Sequence, residues 1–194
     1  MKFVSVLCAG WLFLAGMNAQ AKVVEEIVQI PVSSSGRWTS IENYPMTLTV
    51  FRDDAVTTKQ PFIVLSHGRP PVMSKSDTRQ RYSAVSKYFV SKGFAVFVPT
   101  RPGYGITGGV DVEDDGSTSA GIAAIERGSG AAAAAIVQTI SYVQRLDYIA
   151  PQHGLLVGQS AGGIASLFVS AKNLPGIRGI VNFSGGRGGD PKKN

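Results

Sequence analysis

The 194-residue chain carries 19 lysines and arginines against 13 aspartates and glutamates, a formal charge of +6 at neutral pH, and a single cysteine. The basic surplus is modest and scattered, with no basic stripe interleaved with aromatics, so a nucleic-acid footprint is not indicated. One cysteine excludes an internal disulfide, and the length allows one domain held by an ordinary hydrophobic core.

At the N-terminus Lys2 precedes an apolar run from Phe3 to Ala15, and Ala19-Gln20-Ala21 forms a small-x-small pattern. This reads as a secretory signal peptide over 1–21 with cleavage after Ala21. The run is shorter than the roughly 20 residues of a spanning helix, so no stable membrane insertion is expected after cleavage. Cys8 lies inside this segment, which leaves a cysteine-free, secreted or periplasmic chain over 22–194. Lys22 to Val32 and Met46 to Arg52 alternate partially and read as two strands, with turn material in Ser33-Ser34-Ser35-Gly36.

Phe62 to Leu65 is a short continuous apolar run, as expected of a strand buried on both faces. Ser76 or Asp77 can cap a following helix that presents Tyr82, Val85 and Phe89, with Gly93 as its stop. Phe94 to Val98 predicts a second buried strand. Ile106 to Gly130 reads as a long connection rich in Gly, Ser and Asp. A helix is expected from Ala131 to Leu146, where helix propensity accounts for the alanine run. Gly154 to Val157 predicts a third buried strand, Ala161 to Lys172 a helix, and Ile177 to Phe183 a fourth strand. Alternating apolar strands and helices predict an α/β fold with a mostly parallel sheet and helices on both faces.

Gly158-Gln159-Ser160-Ala161-Gly162 fits G-x-S-x-G and stands between an apolar strand and an apolar helix. A sharp strand-to-helix turn there would expose Ser160 as a nucleophile in strained backbone geometry. The helix start beyond it would offer amides and a positive dipole end to a developing oxyanion, with the Ala161 N–H first. The second donor should come from Ser66-His67-Gly68-Arg69, where Gly68 permits close approach and the Arg69 N–H is the expected donor.

With Ser66-His67-Gly68-Arg69-Pro70, Arg101-Pro102-Gly103-Tyr104-Gly105 and Gly158-Gln159-Ser160-Ala161-Gly162-Gly163 in this order, the chain resembles the α/β-hydrolase superfamily. Within it, the secreted dienelactone-hydrolase-like and prolyl-oligopeptidase-like branches are the most similar. The resemblance, which runs from about Lys22 to the end, implies that Ser160 is the nucleophile and that Ala161 and Arg69 donate the oxyanion amides. It puts Tyr104, His67 and Gln159 near the substrate and implies no cofactor and no metal.

The family's order of serine, acid and histidine puts the histidine after the nucleophile, and none follows His153. His67 belongs to the donor loop, and His153 precedes its strand at the far end of the sheet, so neither is the expected base. Asp190 reads as a solvated tail residue more readily than as a triad acid. The chain is therefore expected to lack the last strands and helices of the fold and to leave the strand ending at Phe183 as an uncovered edge.

Gly103 to Gly108 also matches G-x-G-x-x-G, but the acidic stretch Asp111, Glu113, Asp114 and Asp115 follows at once and would repel a pyrophosphate. That stretch reads as a solvated loop bordering the cleft, its spacing being unlike a calcium loop. Two functions stay open: a serine hydrolase acting on a small-molecule ester or a peptide, crippled by loss of the triad acid and histidine, or an inactive or merely binding hydrolase-fold fragment.

Overall fold

The structure is a computed structural model that describes residues 22–69, 78–114 and 122–186. The expected signal peptide, Pro70, the caps Ser76 and Asp77, Asp115 and Asp190 lie outside those residues. Six strands, β1 (Val23–Ser35), β2 (Ser40–Asp53), β3 (Gln60–Ser66), β4 (Ala95–Thr100), β5 (Ile149–Gln159) and β6 (Ile177–Phe183), form one sheet in the order β1-β2-β4-β3-β5-β6. The strands from β4 to β6 run parallel, while β1 and β2 are antiparallel to each other and β2 to β4.

Alternation along β3 explains why its run is apolar throughout. Phe62 and Val64 face one side of the sheet, where α2 (Ile122–Val143) and α3 (Ala161–Ser170) supply Ile136, Ile140, Val143, Ala165 and Val169. Ile63 and Leu65 face the other, where Phe89 and Val90 of α1 (Ser83–Val90) join Phe51, Val96 and Val98. A parallel strand covered on both faces has no solvent side on which to place a polar residue.

Several boundaries differ from the sequence expectation. β1 continues through Ser33–Ser35 because α2 meets it: the Ser33 N–H donates to Gln138 Oε1 at 2.8 Å, and Ser34 Oγ donates to the Ala131 carbonyl at 3.0 Å. α2 begins at Ile122, inside the supposed connection. Tertiary packing there outweighs the low helix propensity of Gly128, Ser129 and Gly130. The alanine run does more than favour helix: Ala131, Ala132, Ala133 and Ala135 are buried, and the small side chains of the last three belong to the core under the sheet. α1 starts at Ser83, later than the expected caps, with Tyr82 in front of it.

Among the described residues β6 ends the sheet, and Val181 and Phe183 on it are 42% and 59% exposed. A flat apolar edge can pair with another chain. Val181→Lys is therefore expected to lower self-association, read as a smaller average mass in light scattering at equal concentration; equal masses would contradict this.

Candidate active site

β5 ends at Gln159, and α3 begins at Ala161, so the whole reversal falls on Ser160. Its backbone sits at φ 51°, ψ −122°, a region that L-residues other than glycine rarely occupy. The bend is held from both directions. The Ser160 N–H donates to the Phe183 carbonyl at 2.8 Å, and the Ser160 carbonyl accepts the Ile164 N–H at 3.1 Å. The Ser160 side chain is exposed and makes no cap bond with α3.

Close packing completes the bend. A methyl group at Gly162 would collide with the Ser66 and His67 carbonyls, so the first turn of α3 lies directly against the loop after β3. A methyl at Gly68 would lie 3.1 Å from Ser160 Cβ and 3.8 Å from Ser160 Oγ. Gly68 thus brings the loop main chain beside the serine. Ala161 opens α3, whose first-turn amides have no acceptor within the helix and carry its positive dipole end.

No protein-family model matches this chain, and no curated protein does. Solved structures do match. A dienelactone hydrolase from Klebsiella pneumoniae is 12% identical with a TM-score of 0.53, covering 86% of this chain and 62% of its own. A prolyl endopeptidase reaches a TM-score of 0.59 at 13% identity, over 82% of this chain and 20% of that one. Acetyl xylan esterase 1 from a Thermoanaerobacterium species is 18% identical at a TM-score of 0.54, over 84% of this chain and 52% of that one. The fold is that of the α/β-hydrolases. The chain spans less than two thirds of the length of each of these three proteins.

Within this α/β-hydrolase sheet, neither histidine is available to the serine. The main-chain N–H of Arg101 donates to His67 Nε2 at 3.1 Å, so Nδ1 carries the proton and donates to the Gly68 carbonyl at 2.7 Å. Both ring nitrogens are committed, and the ring is 1% exposed. Burial, helped by the Arg101 charge, holds the His67 pKa well below 6.5. His153 is exposed and stands seven residues upstream on β5, about 20 Å from Ser160 at a strand's rise per residue.

His67 and Tyr104, expected near the substrate, turn inward. The Tyr104 ring packs edge-on against His67, with centroids 4.9 Å apart, and its hydroxyl donates to Glu113 Oε2 at 2.9 Å. Both side chains form the interior support of the loop after β3. Gln159, by contrast, is exposed beside Ser160, and Arg69 is exposed at the end of the loop.

The acidic stretch is the largest correction. Glu113 is not solvated: it forms a fully buried ion pair with Arg101, through Arg101 Nε and through Nη2 at 3.2 Å. The other arm of the same guanidinium donates to the His67 carbonyl at 2.7 Å and to Ser66 Oγ at 2.8 Å. Arg69 extends the network, donating to Asp111 Oδ2 at 2.7 Å and to the Glu113 carbonyl at 3.0 Å. Asp114 remains on the surface. The glycine-rich 103–108 stretch closes as a turn, the Gly103 N–H donating to the Gly108 carbonyl at 2.7 Å; it holds a single 3-10 turn, Gly105–Thr107, and no α-helix opens there.

Tyr82, which the sequence reading placed inside a helix, lies beside the bend. It precedes α1, and its hydroxyl donates to Gln159 Oε1 at 2.7 Å. Tyr82, Leu65, Val157, Gln159 and Phe183 line a cleft of about 360 Å³ beside the bend. No group of residues suited to holding a metal ion occurs among the described residues, and no helix among them is long and apolar enough to cross a membrane.

Two outcomes follow from the buried network. Glu113→Gln strands the Arg101 charge in the core and is expected to cost about 3–5 kcal/mol; chemical unfolding measures it. Arg101→Met combined with Glu113→Leu should cost less than the single change. The second concerns pH: because His67 is harder to protonate folded than unfolded, the unfolded chain binds the extra proton below pH 6.5. Stability is full above that value and falls on acidification. The melting temperature should therefore drop between about pH 7 and about pH 5.5, and His67→Gln should flatten that drop.

Proposed function

We propose that this chain is the core of a serine acyl hydrolase acting on small-molecule carboxylic esters or short peptides. The observation that carries the reading is the backbone of Ser160: φ 51° at a strand-to-helix reversal, with the side chain exposed against Gly68. Strain of this kind costs about 1–3 kcal/mol and persists only where the surroundings over-determine it. The α/β-hydrolase neighbours supply the chemistry to test, since esterase and prolyl endopeptidase action are both acyl transfers.

In the proposed reaction Ser160 Oγ passes its proton to solvent water as it bonds to the substrate carbonyl carbon, the carbonyl π pair moves onto oxygen, and the solvent later returns that proton to the leaving group. The main-chain N–H groups of Ala161 and Arg69 receive that oxyanion. Collapse expels the alcohol or amine, which takes up a proton, and leaves an acyl group on Ser160; water then releases the acid. The step needs neither cofactor nor metal. The apolar N-terminal segment supports export of this hydrolase.

The base is the weak point of the chemistry. The sequence has two histidines; one is locked in the core, and the other is at the far end of the strand. Loss of a triad histidine costs about 10⁶ in rate, while the oxyanion site and binding retain roughly 10³–10⁴ over water. Slow acylation is thus expected. After incubation with p-nitrophenyl acetate, intact-mass measurement should show one acetyl group on the wild type and none on Ser160→Ala. Added imidazole should raise wild-type turnover above that of the variant. Equal labelling and equal rates would sink the hydrolase reading and leave a non-catalytic, ligand-binding one.

A further inference from the structure

Tyr82 occupies a backbone conformation that a bulky side chain avoids: φ 46°, ψ 45°, in the left-handed region. That geometry costs an L-residue about 1–2 kcal/mol. The chain around it is fastened firmly enough to hold it there. Arg79 Nη2 lies 2.6 Å from Glu25 Oε1 of β1, and Arg81 Nε donates to the same oxygen at 2.7 Å. The Gln80 N–H donates to Thr100 Oγ1 at 2.9 Å, and the Gln80 carbonyl accepts from Thr49 Oγ1 at 3.0 Å. Ser86 Oγ, from α1, donates to the Arg81 carbonyl at 2.9 Å.

Anchored by β1, β2, β4 and α1, Tyr82 lays its ring against the apolar cluster of Leu65 and Val157. Its hydroxyl reaches the side chain immediately before the nucleophile, 2.7 Å from Gln159 Oε1. Nothing in the folding of α1 requires this, because a glycine would make the same turn without strain. An over-determined outlier with a polar tip at a reactive bend is the pattern of strain retained for function.

We propose that Tyr82 is a positioning residue for acyl transfer at Ser160: by holding the side-chain oxygen of Gln159, it presents the Gln159 NH₂ group to an acceptor oxygen of the bound ester or amide. Burial pushes the Tyr82 phenol up in pKa, opposed by the Gly68 main chain, so at neutral pH it keeps its proton and acts as a donor. A phenol that donates selects the amide oxygen and leaves the two amide hydrogens for the substrate. The catalytic half of this inference rests on Ser160 being the nucleophile; the Tyr82–Gln159 lock does not.

Tyr82→Phe keeps the ring and removes the hydroxyl. In the ¹⁵N-labelled full chain, the Gln159 side-chain NH₂ signals should be well separated in the wild type and move toward free glutamine positions in the variant. On p-nitrophenyl acetate, the serine-dependent kcat should fall about three- to tenfold with KM unchanged, the size of one modest hydrogen bond. In a double-mutant cycle, Tyr82→Phe should have no further effect once Gln159→Ala is present. Unmoved Gln159 signals, or losses that add in the cycle, would overturn the proposal. Should Ser160→Ala show that turnover never depended on the serine, the hydrolase reading fails by itself, and the Gln159 signals still decide for or against Tyr82.

Discussion

A guanidinium and a carboxylate buried at 1% and 4% side-chain exposure would be expensive to remove from water if either stood alone. The effective penalty is several kcal/mol per ion, recovered only with full pairing and hydrogen bonding. Arg101 and Glu113 meet that condition by involving their neighbours. Arg101 uses its remaining donors on Ser66 and His67, Glu113 accepts from Tyr104, and the Arg69 side chain lies over both the Glu113 carbonyl and Asp111. The pair therefore fixes the path of the main chain from Ser66 to Arg69, and that path faces Ser160.

Two strained residues converge on the same point from different parts of the chain. Ser160 and Tyr82 both have positive φ, and each is held by bonds to segments distant in sequence. Gly68 lies beside Ser160, where an added methyl would be a tight fit at 3.1 Å from the serine Cβ. The site is thus assembled from three loops, after β3, before α1 and after β5, whose relative positions are set by the sheet and not by local propensity.

This division explains what could be read from the residues. The apolar runs of β3 and β4 were legible because a strand covered on both faces leaves no room for polar residues. The bend at Ser160 was legible because its motif joins an apolar run to a helix. The Arg101–Glu113 pair was not: a charged stretch beside Gly and Ser carries no mark of burial, and only the fold shows that the buried Arg101 meets it. Tyr82 was hidden for a related reason, since at helical spacing from Val85 and Phe89 it looks like a core residue, and no local signal records a left-handed backbone. The early start of α2 was masked by glycines that packing tolerates.

The strand order also dictates a sequence of events for the newly made chain. β1 and β2 are joined by a short turn and can pair as soon as both exist, whereas Ile63 of β3 meets Leu155 of β5, about ninety residues further along, and such distant contacts form slowly. Until then β3 must wait without one of its two neighbours, so a newly made chain exposes that strand's apolar edge for as long as the sheet stays open.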